Sequence, residues 1–169
     1  IGSPSTFLYI EHIAKLLDDF ATKNDLTVKI VGSGLNTIAF RSFELIDWSE
    51  KYEVKHIQEM DIGIMPLPDD LWAQGKCGFK LIQYMACGLP VVASPVGVNS
   101  QIIEHGVNGF LASTEQEWLE ALRILATDSD LRRRMGRKGR EKIEECYSLK
   151  VQAPRVTAML RNIVERKIS

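Results

Sequence analysis

The residues best suited to chemistry are two lysines in a glycine-bracketed loop, Gly75-Lys76-Cys77-Gly78-Phe79-Lys80. A strand-like run, Asp61 to Pro66, precedes this loop. An apolar helix follows from Leu81 to Cys87, stopped by Gly88, and then a second strand-like run from Pro90 to Ser94. In an open parallel sheet such a loop lies at the carboxyl end of a strand and the amino end of a helix. Unpaired backbone N–H groups and the helix dipole favour an anion there. Lys76 and Lys80 beside those N–H groups suit a diphosphate, whose negative charge needs compensation, and Phe79 could seal the ligand from water. Spacing alone is equally satisfied by two surface lysines. The sequence has no G-x-x-x-x-G-K-[ST], so a Walker-type ATPase is unsupported.

The elements that must position this loop follow from periodicity and punctuation. Ile1 and Gly2 resemble a strand end and its turn, with Ser3 as N-cap and Pro4 at the first helical position. This placement implies a strand upstream of Ile1. Phe7, Ile10, Ile13, Ala14, Leu17 and Phe20 recur at helical spacing. Leu26 to Val31 reads as a buried strand running into the Gly32-Ser33-Gly34 turn, which lacks the third glycine of a dinucleotide fingerprint. Phe43 to Trp48 forms a short strand. Ser49 then caps a helix from Glu50 to about Met60, with Tyr52, Val54, Ile57 and Met60 inward.

Pro90 to Ser94 shows no alternation, as expected of a strand covered on both faces. Ser100 to His105 makes a short helix ended by Gly106, and Phe110 to Ala112 makes the last strand. Thr114 and Glu117 form a capping box before a helix that carries Trp118, Leu119, Leu122, Leu125 and Ala126 on one face. Two further helices run from Ser129 to Cys146 and from Leu149 to about Arg166. In the first, Leu131, Met135, Gly139 and Ile143 make a packed stripe that leaves the arginines in solvent. Strands separated by helices over the first 112 residues predict an α/β fold. The expected form is a doubly wound, Rossmann-like parallel sheet with helices on both faces and further helices at the carboxyl end.

Charge and composition narrow the function. The 169 residues carry 21 Lys and Arg against 22 Asp and Glu, a net charge of −1, so no overall field recruits nucleic acid and any phosphate attraction is local. The run Arg132-Arg133-Arg134 with Arg137, Lys138, Arg140 and Lys142 has no interleaved aromatics and is offset by Glu141, Glu144 and Glu145, which reads as a solvated helix face. Cys77, Cys87 and Cys146 are odd in number and widely spaced, which suits a reduced compartment such as the cytoplasm. Cys77 reads as a small filler. His12, His56 and His105 show no metal-ligand spacing. Peripheral attachment to a membrane stays open.

Three stretches carry a family resemblance. Asp61 to Pro66, Lys80 to Ala93, which includes Tyr84-Met85-Ala86-Cys87-Gly88-Leu89-Pro90, and His105-Gly106-Val107-Asn108-Gly109-Phe110-Leu111 resemble the carboxy-terminal half of family 4 (group 1) retaining glycosyltransferases. The likeness continues through Leu131-Arg132, Met135-Gly136, Gly139-Arg140 and Tyr147-Ser148. It implies one half of a GT-B architecture. Residues 1–169 would be the nucleotide-sugar donor domain, lacking an amino-terminal acceptor domain and its own first strand.

The resemblance also implies roles. The family often places two glutamates eight residues apart, the first at the sugar hydroxyls and the second at the ribose; Gly75 and Gln83 hold those positions here. Gln83 can still bond a ribose hydroxyl, whereas Gly75 offers backbone only. Gly2 and Ser3 stand where many relatives carry donor-contacting basic residues, so the phosphate charge falls to Lys76 and Lys80. The expected donor-binding set is thus Gly2, Ser3, Gly75, Lys76, Gly78, Phe79, Lys80 and Gln83. Gln101 replaces a further family glutamate.

The implied reaction is transfer of a sugar from a nucleoside diphosphate sugar to an acceptor hydroxyl with retention, without metal or cofactor. No carboxylate nucleophile is evident in the loop and no catalytic residue is assigned. The implied location is the cytoplasm or, for a peripherally attached full-length enzyme, the inner membrane face. Two rival functions are an epimerase-like domain, which needs acid and base residues in its cleft, and a non-catalytic α/β binding module, of the kind marked by an acidic cluster at the first strand.

Overall fold

The computed structural model describes residues 1–168, and side chains through residue 165. A single 3-10 turn at Pro4–Thr6, entered from Ser3, opens helix α1 (Phe7–Lys23). Strand β1 (Val28–Val31) follows, then β2 (Phe43–Ile46), α2 (Glu53–Gln58) and β3 (Gly63–Met65). Next come α3 (Leu71–Gln74), α4 (Phe79–Ala86), β4 (Val91–Ala93) and α5 (Asn99–Ile102). The chain ends with β5 (Gly109–Leu111), α6 (Glu115–Thr127), α7 (Ser129–Cys146) and α8 (Leu149–Ile168).

All strand pairs are parallel, as the alternation of strands and helices predicts, and helices cover both faces. The strands nevertheless lie in two sheets, β1-β2 and β3-β4-β5. The single continuous sheet expected from sequence is therefore interrupted between β1 and β3.

Strand β4 is the centre of the packing. Val91, Val92 and Ala93 are each 0% exposed, which is why this run shows no polar alternation. Successive residues point to opposite faces, and here they enter opposite cores. Val91 and Ala93 join Leu81, Tyr84 and Met85 of α4, Ile57 of α2, Ile102 of α5 and Ile143 of α7. Val92 joins Leu17 of α1, Trp118, Leu122 and Leu125 of α6, and Met135 of α7. Burying one such side chain contributes about 1.5–3 kcal/mol.

Helix ends follow their sequence signals unevenly. Thr114 and Glu117 make the expected reciprocal box at α6, with Glu117 N–H donating to Thr114 Oγ1 at 3.2 Å and Thr114 N–H donating to Glu117 Oε2 at 3.0 Å. Ser113 N–H also donates to that carboxylate, and these backbone bonds hold the Glu117 pKa below its ordinary value. Gly88 ends α4 with φ +78. At α2 the expectation fails, because the helix starts at Glu53 and Ser49 serves only a turn, accepting from Tyr52 N–H at 3.0 Å. A six-residue helix offers one inward position, Ile57, and leaves Tyr52 and Val54 exposed. Leu119 is likewise exposed on α6, and Ala121 packs in its place.

The basic face of α7 is also not wholly solvated. Arg132 donates to the carbonyls of Leu125 and Ala126 at the end of α6, at 2.6 and 3.2 Å, and Arg140 donates to the Ala86 carbonyl at the end of α4. Both satisfy carbonyls that a helix end leaves unpaired. Arg133 with Asp130 and Lys138 with Glu141 are exposed pairs of little weight.

Where α7 crosses the end of α4, Gly136 lies so close that a Cβ would collide with the Gly88 carbonyl. Glycine-to-alanine in an open helix interior gains about 1 kcal/mol. Gly136→Ala is expected instead to destabilise by about 1–3 kcal/mol in urea unfolding, the range for overpacking; a stabilised variant would show that α7 does not rest on the α4 stop.

Candidate functional site

The glycine loop is held by structure that the sequence reading missed. Helix α3 is a single turn whose N-cap, Asp70, accepts from Ala73 N–H at 2.7 Å, and Asp69 Oδ1 accepts from Gln74 Nε2 at 2.8 Å. Its signal was the Asp70-Leu71-Trp72-Ala73 spacing alone, without a hydrophobic period. The loop after β4 braces the other side. Gly97, at φ +56, lies against the Gln74 carbonyl, with no room for a Cβ. Buried Asn99 donates to the Ser94 carbonyl at 3.0 Å, and Ser94 Oγ accepts from Leu67 N–H at 2.9 Å.

Gly78 is the N-cap of α4 with φ +66 and ψ 18, in the left-handed region. A Cβ there would also strike Ile102 Cδ1. Glycine has no side chain to cap the helix. The N–H groups of Leu81 and Ile82 donate to the Gly78 carbonyl, and those of Phe79 and Lys80 have no partner among the described residues. These are the free donors a helix start offers an anion.

The eight residues picked out from sequence all line one open cleft of about 460 Å³. Gly2 and Ser3 come from the chain start, Gly75, Lys76 and Gly78 from the loop, and Phe79, Lys80 and Gln83 from α4. Lys80 Cε lies 3.1 Å from where a Gly2 Cβ would stand, so the missing side chain at Gly2 leaves room for the lysine. Burial, and secondly the Lys76 charge, hold the Lys80 ammonium below the usual lysine pKa. Lys76 Nζ stands 5.0 Å from the centroid of the Tyr9 ring. Among the described residues neither ammonium pairs with a carboxylate.

Other positions need revision. Phe79 is 59% exposed and leaves the cleft open, where the sequence suggested a seal. Gly75 has φ −78 and its Cβ would meet Trp72 O at 3.5 Å and Leu71 O at 4.0 Å, ordinary contacts, so neither conformation nor space demands glycine there. Cys77 is exposed and fills no gap, contrary to the filler reading. Gln101 lies outside the cleft, its carbonyl accepting from Lys142 Nζ at 2.9 Å.

Gln83 donates from Nε2 to Glu53 Oε1 at 2.9 Å, and Glu53 lines the same cleft. Sequence gave no reason to choose Glu53, since an acidic residue in a helix first turn reads as a dipole complement. Of the histidines, His105 Nδ1 accepts from Leu111 N–H at 3.1 Å, a structural bond. Among the described residues no cluster of His, Cys, Asp or Glu could hold a metal ion, and no helix is long and apolar enough to cross a membrane.

Residues 6–128 match the family of group 1 glycosyl transferases, and the chain belongs to that family. One curated relative, N-acetyl-alpha-D-glucosaminyl L-malate synthase of Bacillus anthracis, is 35% identical over 73 residues, covering 41% of this chain and 19% of the relative. This chain thus spans a minor part of that relative's length. Among solved structures, Anabaena Alr3699/HepE in complex with UDP and glucose superposes with a TM-score of 0.69 and 17% identity, covering 87% of this chain and 44% of that one. The carboxy-terminal domain of the Francisella tularensis group 1 glycosyltransferase LpcC gives a TM-score of 0.57 and 18% identity, over 87% of this chain and 66% of that one. The fold is that of the GT-B glycosyltransferases.

The Lys80 environment makes a checkable statement. Lys80 is expected to titrate below an ordinary lysine, and Lys76→Ala to raise its pKa without restoring it fully, because burial is the larger cause. Side-chain NMR of the Lys80 Cε methylene through alkaline pH reads this directly. An ordinary value in the unaltered chain would mean that the amine is solvated.

Proposed function

We propose that the cleft holds the diphosphate of a nucleoside diphosphate sugar, and that the chain is the donor-binding part of a retaining, family 4 glycosyltransferase of GT-B architecture. The observation that carries this reading is Lys80: a half-buried ammonium without a carboxylate partner among the described residues, beside the free N–H groups that open α4. An unpaired buried charge is costly, and a diphosphate would offset that cost.

In the transfer reaction the bond between the anomeric carbon and the β-phosphate oxygen breaks, and charge accumulates on that oxygen. The N–H groups of Phe79 and Lys80, the α4 dipole and the Lys80 ammonium stabilise that charge, a role that needs no metal. Lys76, from its place over Tyr9, adds to the local field. Gly2 and Ser3 bound the cleft beside Lys80, their N–H groups held by the Val31 carbonyl and Thr6 Oγ1. The Gln83 and Glu53 pair offers acceptors to the vicinal hydroxyls of a ribose, since a carboxylate belongs beside an uncharged part of the ligand. Gly75 offers backbone toward the sugar.

The acceptor side belongs to an amino-terminal domain, whose closure would exclude water and align the acceptor hydroxyl. Proximity of that kind is worth roughly 7–11 kcal/mol of barrier. The residues of this chain therefore bind donor and do not by themselves catalyse transfer. A cytoplasmic setting, with the full-length enzyme at the inner membrane face when its acceptor is lipid-linked, fits this role.

Lys80→Ala should weaken binding of a nucleoside diphosphate by about 1.5–3 kcal/mol in calorimetry, roughly 10- to 150-fold, the range for a hydrogen bond to a charged group. Unchanged affinity would remove Lys80 from the site. Binding should survive a chelator, and strict dependence on magnesium or manganese would contradict the metal-free reading. With labelled donor and a panel of acceptors, the 169-residue chain should show no acceptor-dependent transfer; measurable transfer would overturn the division of labour.

A further inference from the structure

Two buried polar side chains stand behind the glycine loop without lining the cleft: Ser94, just past β4, and Asn99, at the start of α5. We propose that Asn99, acting with Ser94, is a positioning residue for the diphosphate site, fixing the backbone of Gly78 and through it the aim of the Phe79 and Lys80 N–H groups. This role rests on the diphosphate reading of the cleft and adds what sets its geometry.

Asn99 is 1% exposed, and its neighbours Val96, Ile102 and Ile103 belong to the apolar core. Burying an amide in such surroundings is costly unless its hydrogen bonds are made. Asn99 Nδ2 donates to the Ser94 carbonyl at 3.0 Å, five residues back, and so closes Ser94 to Asn99 into one loop. Backbone bonds tighten it, Val96 N–H donating to Ser94 O at 2.8 Å and Asn99 N–H to Val96 O at 3.2 Å.

The closed loop supports the glycine loop at both ends. Gly97 meets the Gln74 backbone, where a Cβ would stand 2.5 Å from the carbonyl oxygen. Asn99 Oδ1 and Val98 Cγ2 face Gly78, at 3.5 and 3.2 Å from where its Cβ would stand. Ser94 adds a third anchor. Its Oγ accepts from Leu67 N–H at 2.9 Å and its N–H donates to Met65 O at 3.2 Å, so it holds the exit of β3 that leads to Asp70 and α3. The ends of β3 and β4 and the start of α4 are thereby tied through two side chains.

Gly78 needs such a support. Its backbone is left-handed, and a glycine has other conformations of similar energy. Contacts with Val98 and Ile102 restrict it only while the loop that carries them stays closed, and the Asn99 bond is the side-chain latch of that loop. With the latch gone, Gly78 samples other conformations and the Phe79 and Lys80 N–H groups lose a common aim. A diphosphate oxygen registers that loss, because hydrogen bonds weaken steeply as they bend.

Pyrophosphate reads the phosphate subsite without a base or sugar, and its binding to the 169-residue chain is followed by nitrogen-15 NMR and calorimetry. Asn99→Leu keeps the branched shape and removes the bond; Ser94→Ala removes the Leu67 acceptor and Ser94→Thr keeps it. Asn99→Leu and Ser94→Ala should each weaken pyrophosphate binding by about 10-fold or more and shift the Phe79 and Lys80 amides of the free protein, while Ser94→Thr stays within about twofold of the unaltered chain. Leu122→Ala, in the core on the other face of β4, controls for lost stability and should leave affinity and both amides unchanged. Undiminished affinity in Asn99→Leu, or an equal loss in Leu122→Ala, overturns the positioning role alone. Absence of pyrophosphate binding by the unaltered chain overturns the diphosphate reading and this role with it. If Asn99→Leu fails to fold by circular dichroism, the serine variants decide: Ser94→Ala must weaken binding and Ser94→Thr must restore it, and any other result overturns the role.

Discussion

The placement of α4 is the constraint on which the rest depends. Helix α4 presents free N–H groups at a start that is fixed without a side-chain cap. Gly78 does this with a left-handed backbone lodged against Ile102. The other end is fixed as firmly, because Gly88 turns the chain under the backbone of Gly136 and Arg140 caps the Ala86 carbonyl. Between these ends Leu81, Tyr84 and Met85 are buried against β3 and β4. The helix that carries Lys80 and Gln83 is therefore among the least adjustable parts of the molecule, and pre-organised donors are what charge stabilisation needs.

Charge is deployed locally. The chain is nearly neutral, at −1, yet among the described residues its two cleft lysines lack carboxylate partners while many surface cations are paired or cap helix ends. The one carboxylate in the cleft, Glu53, is held by the Gln83 amide rather than by a lysine. That separation leaves one pocket with two lysine ammonium groups and an amide-bound carboxylate. Family membership sets the class of chemistry, and these contacts give it a physical form.

Punctuation residues were the legible part of the sequence. Gly88, Pro4 and the Thr114 and Glu117 pair act locally, so their effect can be read without knowing what they pack against; the short helix expected to run from Ser100 to His105 instead spans Asn99–Ile102 and ends before Gly106. Apolar runs such as Pro90 to Ser94 were legible for a related reason: burial on both faces leaves no polar residue in the run. What escaped was set by tertiary context. Tyr52 and Val54 fit a helical period, but α2 is too short to bury them. Helix α3 has a cap and no period, and Glu53 acquires its place only because α2 stands across from Gln83. The interruption between β1 and β3 is a matter of pairing, on which periodicity is silent.

The most direct test of the central claim is a nitrogen-15 NMR titration of the chain with UDP, GDP and ADP. The account predicts that the diphosphate that binds moves the amides of Phe79, Lys80, Gly2 and Ser3 most, and that the matching nucleoside without phosphates moves them far less. Shifts concentrated on the arginines of α7, or no shift at Phe79 and Lys80 at saturating nucleotide, would contradict it.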